Sequence, residues 1–471
     1  MQRTCALLAI AALAGCGSPG STGDGTSDSS WEPPPGPDAV ADLHYNPWEI
    51  VPSADIPAPR GLILRRGIIH AHSPYSHDAC DGEPFVDGER NEQCFEELRE
   101  ALCTTEQDFI FLTDHDDLFA DHEYPAVLLY KDGDTLIERG GLPVANTMDC
   151  GGRGVIIAAG TESGTMPIGL EHHIGDTPEE RNAAYNDVTR DGVQAYRDAG
   201  ALAFVQHAEG WELDTLIELE LDGIEIYNLH YNMMDALDVV VLMLIDSNDR
   251  PWRVPVPELG FIPLWRENVV DIEHWSHLLM IRRQVGILAT DVHRNTLSGE
   301  SMDGERYDSY RRMMRWFSNY VLLPAGPVDD AALKQAIGHG RLYGAFDSFG
   351  YPTGFDFHAR VGSTVYEMGD DVPAGESVEL VLSIPDVMHL DPAGPQALIR
   401  GRILRANDGE WDEVAEGTED LSYGASPGVY RAEVLIIPEH VRLWMGTLAD
   451  EYLADEKVWV YSNPIYVAVA Y

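Results

Sequence analysis

Histidine and carboxylate residues recur at the ends of apolar runs in this chain. GIIHAH ends in His70 and His72, FLTDH in Asp114 and His115, AAGTE in Glu162, FVQH in His207, and LATDVH in Asp291 and His293. Mixed imidazole and carboxylate donors suit zinc, manganese or iron more than calcium or magnesium. His70 and His72 stand at i, i+2, as do Asp291 and His293. On a strand such pairs point the same way and can chelate one ion from a rigid support. The loop SPYSHDA offers His77 or Asp78, and the adjacent His172 and His173 offer at most one more donor. His70, His72, His77, His115, Glu162, His173, His207, Asp291 and His293 make nine candidates. One ion takes about four to six donors. The set therefore predicts two or three divalent ions (Zn, Mn or Fe), with Glu162 able to bridge.

The elements that must hold these residues are strands. The runs 67–72, 108–115, 154–162, 201–207, 222–228 and 285–293 are nearly continuous in apolar residues, as in strands buried on both faces of a parallel sheet. Helical patterns such as CFEELREALC and NDVTRDGVQAYRDAG lie between them. Repeated strand-then-helix order predicts an α/β layer or barrel over residues 56–350. In a β/α barrel the C-terminal strand ends converge on one face, which gathers the donors. Residues 351–471 carry short strand patterns with Gly, Pro and Asp between them and no long helical pattern. They predict a small antiparallel β-sandwich.

The N-terminus reads as an address. Arg3 is followed by an apolar run, Ala6 to Ala14, too short to span a bilayer, and residues 1–15 read as a signal peptide. Leu13-Ala14-Gly15-Cys16 resembles the bacterial lipobox, which implies a lipid on Cys16. Gly17, rather than Asp, after that cysteine leans by the same resemblance to the outer membrane of a Gram-negative cell. Residues 16–55, rich in Ser, Gly and Pro, form a tether. The remaining cysteines, Cys80, Cys94, Cys103 and Cys150, allow two disulfides in an exported protein. Cys94 and Cys103 are nine residues apart on a predicted helix and so face opposite ways. The favoured pairs are Cys80–Cys94 and Cys103–Cys150.

The 471 residues carry 31 Lys and Arg against 79 Asp and Glu, a formal charge of −48. This charge repels nucleic acid and anionic membranes and slows the arrival of large polyanions. A 44% apolar content excludes a wholly disordered chain.

Together HAHSPYSHDA, LTDHDD, GTESG, HHIG, VQHAEG, GIEIYN and TDVHR resemble the PHP superfamily, the polymerase and histidinol-phosphatase domain, over residues 62–350. The resemblance implies a distorted (β/α)7 barrel with a di- or trinuclear metal centre that usually hydrolyses phosphoesters. By it, the opening HxH falls on His70 and His72, the next DH on Asp114 and His115, and the bridging glutamate on Glu162. The middle histidines fall on His173 and His207, and the closing DxH on Asp291 and His293. The early loop ligand falls on His77 or Asp78. The chain departs from the pattern in Ala208, where Pro commonly follows the middle His, and in a long stretch from Tyr231 to Trp275. The expected activity is hydrolysis of a small phosphate mono- or diester by metal-activated water. Asp114 would orient a ligand or take a proton, and Arg294 would stabilise phosphoryl oxygens. The alternatives are hydrolysis of a non-phosphate ester or amide on the same scaffold, or a non-catalytic, surface-anchored binding protein.

Overall fold

The structure, a computed structural model, describes residues 45–471 apart from 48, 241–255, 302, 375–376 and 446–447. The predicted signal peptide, Cys16 and most of the tether lie outside the described residues, as does part of the Tyr231–Trp275 stretch. No helix among the described residues is long and apolar enough to cross a membrane.

The first part of the chain alternates strands and helices. In order these are β1 (Ile63–Ile69), α1 (Glu92–Thr104), β2 (Phe109–Phe111), β3 (Asp114–His115), β4 (Thr135–Arg139), β5 (Leu142–Asp149), β6 (Gly154–Glu162) and β7 (Met166–Leu170). There follow α2 (Arg190–Asp198), β8 (Leu202–Val205), α3 (Leu213–Leu219), β9 (Gly223–Asn228), α4 (Leu229–Asp235), α5 (Val269–Leu279), β10 (Val285–Ala289), β11 (Ser318–Leu323), α6 (Asp330–His339) and β12 (Leu342–Ala345). The last part is strand-rich: β13 (Asp356–Val361), β14 (Thr364–Glu367), β15 (Val378–Ser383), β16 (Leu398–Asn407), β17 (Glu410–Gly417), β18 (Leu421–Ala425), β19 (Gly428–Ile437), β20 (Lys457–Ser462) and β21 (Ile465–Val467).

The fold is mixed α/β, with a large mixed sheet and further antiparallel sheets. β1 pairs parallel with β2, and β2 with β6. β7 runs antiparallel between β6 and β8. Parallel pairing resumes from β8 to β9 and from β9 to β10. Just beyond β10, Val292 bridges back to Ala71 beyond β1. The buried runs of β2, β9 and β10 explain their nearly unbroken apolar sequence. β12 pairs with β20, so the C-terminal strands continue the large sheet. A separate antiparallel sheet has the order β14, β13, β15, β18.

Helix α1 shows how local sequence sets position. The Asn91 side chain caps its N-terminus by accepting from the Cys94 N–H. Cys94, Phe95, Leu98, Ala101 and Leu102 form its buried stripe at helical spacing. Cys94 bonds to Cys80 and Cys103 to Cys150, the two favoured pairs.

Candidate metal centre

The strand ends do not continue as strands. β1 stops at Ile69 and β10 at Ala289, and His70, Asp291 and His207 all take left-handed backbone, with φ of 66°, 52° and 47°. Each such non-glycine residue costs on the order of 1–3 kcal/mol, which clusters at functional sites when the surroundings enforce it. Here Asp291 N donates to His70 O at 2.8 Å and His72 N to Val292 O at 2.9 Å. The i, i+2 pairs are therefore brought together by tight turns rather than by a shared strand face. The two-residue β3 pairs in parallel with the end of β6, which sets His115 beside Glu162.

Seven of the nine sequence-derived donors converge: His70, His72, His115, Glu162, His207, Asp291 and His293. His70 Nε2 lies 3.2 Å from His72 Nε2, Glu162 Oε2 and Asp291 Oδ1. His72 Nε2 lies 3.2 Å from Glu162 Oε2 and 3.3 Å from Asp291 Oδ1. The second oxygens face elsewhere. Glu162 Oε1 is 3.2 Å and Asp291 Oδ2 is 3.3 Å from His207 Nε2. On the other side, Asp78 Oδ2 stands 3.2 Å from His115 Nε2 and 3.0 Å from His293 Nε2. Glu162 and Asp291 thus each serve two groups of donors.

Outer partners decide which ring nitrogens face inward. His70 Nδ1 bonds to the buried Glu225 carboxylate. His72 Nδ1 meets the Ser76 hydroxyl at 3.0 Å, and that hydroxyl donates to Asp78 Oδ1 at 2.8 Å. His115 Nδ1 meets the Glu162 carbonyl at 3.0 Å, and His293 Nδ1 the Asp291 carbonyl at 2.9 Å. A proton on each Nδ1 leaves each Nε2 with its lone pair.

The lone pairs of His70, His72, Glu162 and Asp291 then point at one another. Two acceptors at 3.2 Å repel, and Asp291 Oδ1 is buried with no hydrogen-bond partner. A cation among them satisfies all four at once. Tetrahedral donors held about 2.0–2.1 Å from one ion stand about 3.3–3.4 Å apart, close to the spacing found. His72, His115, Glu162 and His293 make a second group of compatible spacing, and His230, Asp291 and His293 a third. The donor set fits divalent metal.

The electrostatics agree. Burial alone would lower the His70 pKa, but Asp291, Glu225 and Glu162 together raise it well above normal. His72 is likewise pushed up to about 10, burial being outweighed by Asp291 and Glu162. Burial would raise Glu162 and Asp291, yet the surrounding imidazoles hold both well below the usual carboxylate range. His293 is lowered to about 4 by burial and by the His72 ring stacked at 3.8 Å. Positive charge is favoured where the carboxylates meet.

The remaining sequence-derived residues lie elsewhere. His77 is exposed and contacts Asp117 at 3.0 Å, while the neighbouring Asp78 enters the cluster. Both nitrogens of His173 are taken, by Tyr185 OH and the His122 carbonyl at 2.7 Å each, which leaves no lone pair for a metal. His172 is exposed and contacts the His173 carbonyl. Asp114 is fully buried, its pKa raised to about 6 by burial, and it accepts from Ser73 N and Oγ. Through these two bonds it holds the turn after His72. Arg294 is engaged by Glu97 and Asp81, so its charge is already offset.

Sequence reasoning passed over Glu225, His230 and Glu209. Glu225 carried a signal: a lone carboxylate inside the apolar run GIEIYN must have a buried partner. His230, just past β9, lies 3.2 Å from His293 Nδ1. Glu209, two residues past His207, had no such signal.

No family model and no curated protein matches the chain. Among solved structures it is similar to a two-domain protein from Bacteroides vulgatus ATCC 8482 containing a predicted PHP-like metal-dependent phosphoesterase. The identity is 10%, the match covers 82% of this chain and 94% of that one, and the TM-score is 0.31.

Proposed function

We propose that this chain is a PHP-type metal-dependent hydrolase, a phosphoesterase for small phosphate mono- or diesters. The observation that carries the reading is the two-sided use of Glu162 and Asp291 among inward-facing imidazole nitrogens. The group His70, His72, Glu162 and Asp291 would hold one divalent ion. Asp78, His115 and His293, sharing Glu162, would hold a second, and His207, with the far oxygens of Glu162 and Asp291, a third. Such ions would supply Lewis-acid polarisation of a phosphoryl oxygen and an acidified water at neutral pH.

The chain's own residues arrange the rest. His70 and His72 side chains are fully buried, whereas His207, Asp78 and His115 are 35%, 28% and 24% exposed. The mouth of the site is therefore on the His207, Asp78 and His115 side, where a small ester can reach it. Glu225, Ser76 and the Glu162 and Asp291 carbonyls hold the rings in register. His230 stands beside His293 and could carry a proton between the site and solvent.

Seven strands, β1, β2, β6, β7, β8, β9 and β10, pair in sequence, and Ala71 and Val292 bridge the ends. This supports a distorted (β/α)7 barrel over residues 56–350, followed by a β-sandwich domain. Export and anchoring through a lipid on Cys16 are proposed from the sequence alone.

The test is metal content by mass spectrometry on chelator-free protein, followed by a phosphomonoester and phosphodiester panel with ester and amide controls. Two or three ions and turnover that His70→Ala abolishes would support the reading. One ion or none after resupply, or equal turnover in His70→Ala, would sink it. Turnover confined to the ester or amide controls would leave the metal centre and remove the phosphoesterase assignment.

A further inference from the structure

Strand β10 leads into Asp291 and His293 and pairs along one edge with β9. Its other edge faces β1, and Asp291 meets His70 and His72 across that seam. Toward the end of β10 the seam is backbone. Thr290 N donates to Ile69 O at 3.3 Å, Asp291 N to His70 O at 2.8 Å and His72 N to Val292 O at 2.9 Å. Nearer the start of β10 it cannot be, because β11 occupies that edge of β1 from Ile63 to Gly67. Gly286 and Leu288, at two-residue steps before Thr290, are buried and pair with no strand on this side among the described residues. Buried backbone N–H and C=O groups without partners are strongly disfavoured.

Two asparagine side chains take the place of the missing strand. Gly286 N donates to Asn463 Oδ1 and Asn463 Nδ2 donates back to Gly286 O, both at 2.9 Å. Leu288 N donates to Asn319 Oδ1 at 3.0 Å, and Asn319 Nδ2 donates back to Leu288 O at 2.8 Å. A carboxamide carries an acceptor and donors side by side, as a peptide group does, so each asparagine makes the two bonds that a strand would make. Both side chains are buried. Asn319 belongs to β11, opposite Gly67 of β1. Asn463 comes from the C-terminal strands, between β20 and β21, and its Nδ2 also donates to Leu342 O of β12 at 3.1 Å. The fit beneath β10 is tight: a Cβ on Gly344 of β12 would stand 2.3 Å from the Leu288 side chain.

These pairs act close to the site. Leu288 stands three residues before Asp291, whose Oδ1 lies 3.2 Å from His70 Nε2. The register of a strand fixes every side chain it carries, so a shift of β10 along the seam takes Asp291 and His293 with it.

We propose that Asn319 and Asn463 are positioning residues for Asp291 and His293, setting where β10 stands along the seam, and that the C-terminal strands thereby complete the scaffold of the metal centre. The inference rests on the metal-centre reading.

The experiment titrates zinc into the metal-stripped full chain against a competing chelator, with urea unfolding measured in parallel. Asn463→Ala and Asn319→Ala should each weaken zinc binding by about 10-fold or more. Asn146→Ala is the comparison for lost stability alone. Asn146 is fully buried in β5, outside the seam, and donates to Leu128 O at 3.2 Å and Asp134 Oδ2 at 2.9 Å. Its variant should lower the urea midpoint and keep wild-type zinc affinity. The wild type gives a second test that needs no variant. Coupling is reciprocal: if the asparagine pairs favour zinc, zinc must favour the pairs. Adding zinc should slow hydrogen exchange at Gly286 and Leu288 by about the same 10-fold factor beyond any slowing in the separate sheet of β13 and β15. Wild-type zinc affinity in Asn463→Ala and Asn319→Ala, or equal weakening in Asn146→Ala, would overturn the inference. So would exchange at Gly286 and Leu288 that zinc slows no more than exchange in β13 and β15. A wild-type chain that binds no zinc would instead overturn the metal-centre reading itself.

Discussion

Glu225 and His70 are both fully buried, and the hydrogen bond from His70 Nδ1 to Glu225 Oε1 turns the His70 Nε2 lone pair toward Glu162 and Asp291. Glu225 also accepts from His207 N at 3.0 Å. One carboxylate that touches no proposed ion thereby orients donors on two sides of the site. Glu225→Gln keeps the volume and loses the charge. It is expected to weaken metal binding by about 10- to 100-fold. Calorimetric titration of the stripped protein checks this, and unchanged affinity would refute it.

Asp78 and His77 should separate cleanly. Asp78→Asn removes a carboxylate 3.0 Å from His293 and 3.2 Å from His115. It is expected to lose one ion per chain. His77→Ala removes an exposed ring that contacts Asp117 and should leave the ion count intact. Mass-spectrometric metal counts on the two variants decide between them.

Arg294 is expected to matter little to turnover. Its partners are Asp81 and Glu97, and both are carboxylates outside the cluster. Arg294→Ala should keep kcat within about threefold, far from the roughly 10²–10³ loss expected for a group that stabilises the reacting oxygens. Steady-state kinetics on any substrate found in the panel provide the check.

The Cys80–Cys94 disulfide braces the loop that carries Asp78. Cys80 N also donates to the His293 carbonyl at 3.0 Å. The bridge spans a sequence separation of 14, and a loop of that size contributes about 3 kcal/mol. Replacing both cysteines by serine should lower stability by that order and loosen the ion at Asp78. Urea unfolding and chelator competition measure the two effects; an unaltered metal affinity would detach the disulfide from the site.

His440 sets part of the acid limb of stability. Burial holds its pKa down to about 4 even though its Nε2 contacts the Phe349 carbonyl at 2.9 Å. The unfolded histidine titrates near 6.5, so below that pH the unfolded chain binds a proton that the folded chain refuses. Stability is therefore full above about pH 6.5 and falls as pH drops toward 4. His440→Gln should lose about 2–3 kcal/mol less than the wild type between pH 7 and 4.5. Urea midpoints at the two pH values test the difference.

The sequence by itself determined which donor residues stand at the strand ends. Strand-forming runs are legible because buried parallel strands need unbroken apolar residues, and a histidine or carboxylate at the end of such a run stands out against them. The pattern therefore named His70, His72, His115, Glu162, His207, Asp291 and His293, and helix periodicity separated Cys94 from Cys103. The tertiary structure decided how the donors are shared. Residues 78 and 77 are one step apart in a loop, and only the backbone path past Cys80 turns the carboxylate inward. His173 reads as a ligand until Tyr185 and the His122 carbonyl are seen to occupy both its nitrogens. Glu225 lies far along the chain from His70, and its hold on both His70 and His207 comes from the packing of β9 beside the ends of β1 and β8. Spacing along a chain reveals which side chains share an element; which of them share a proton or an ion depends on contacts between elements.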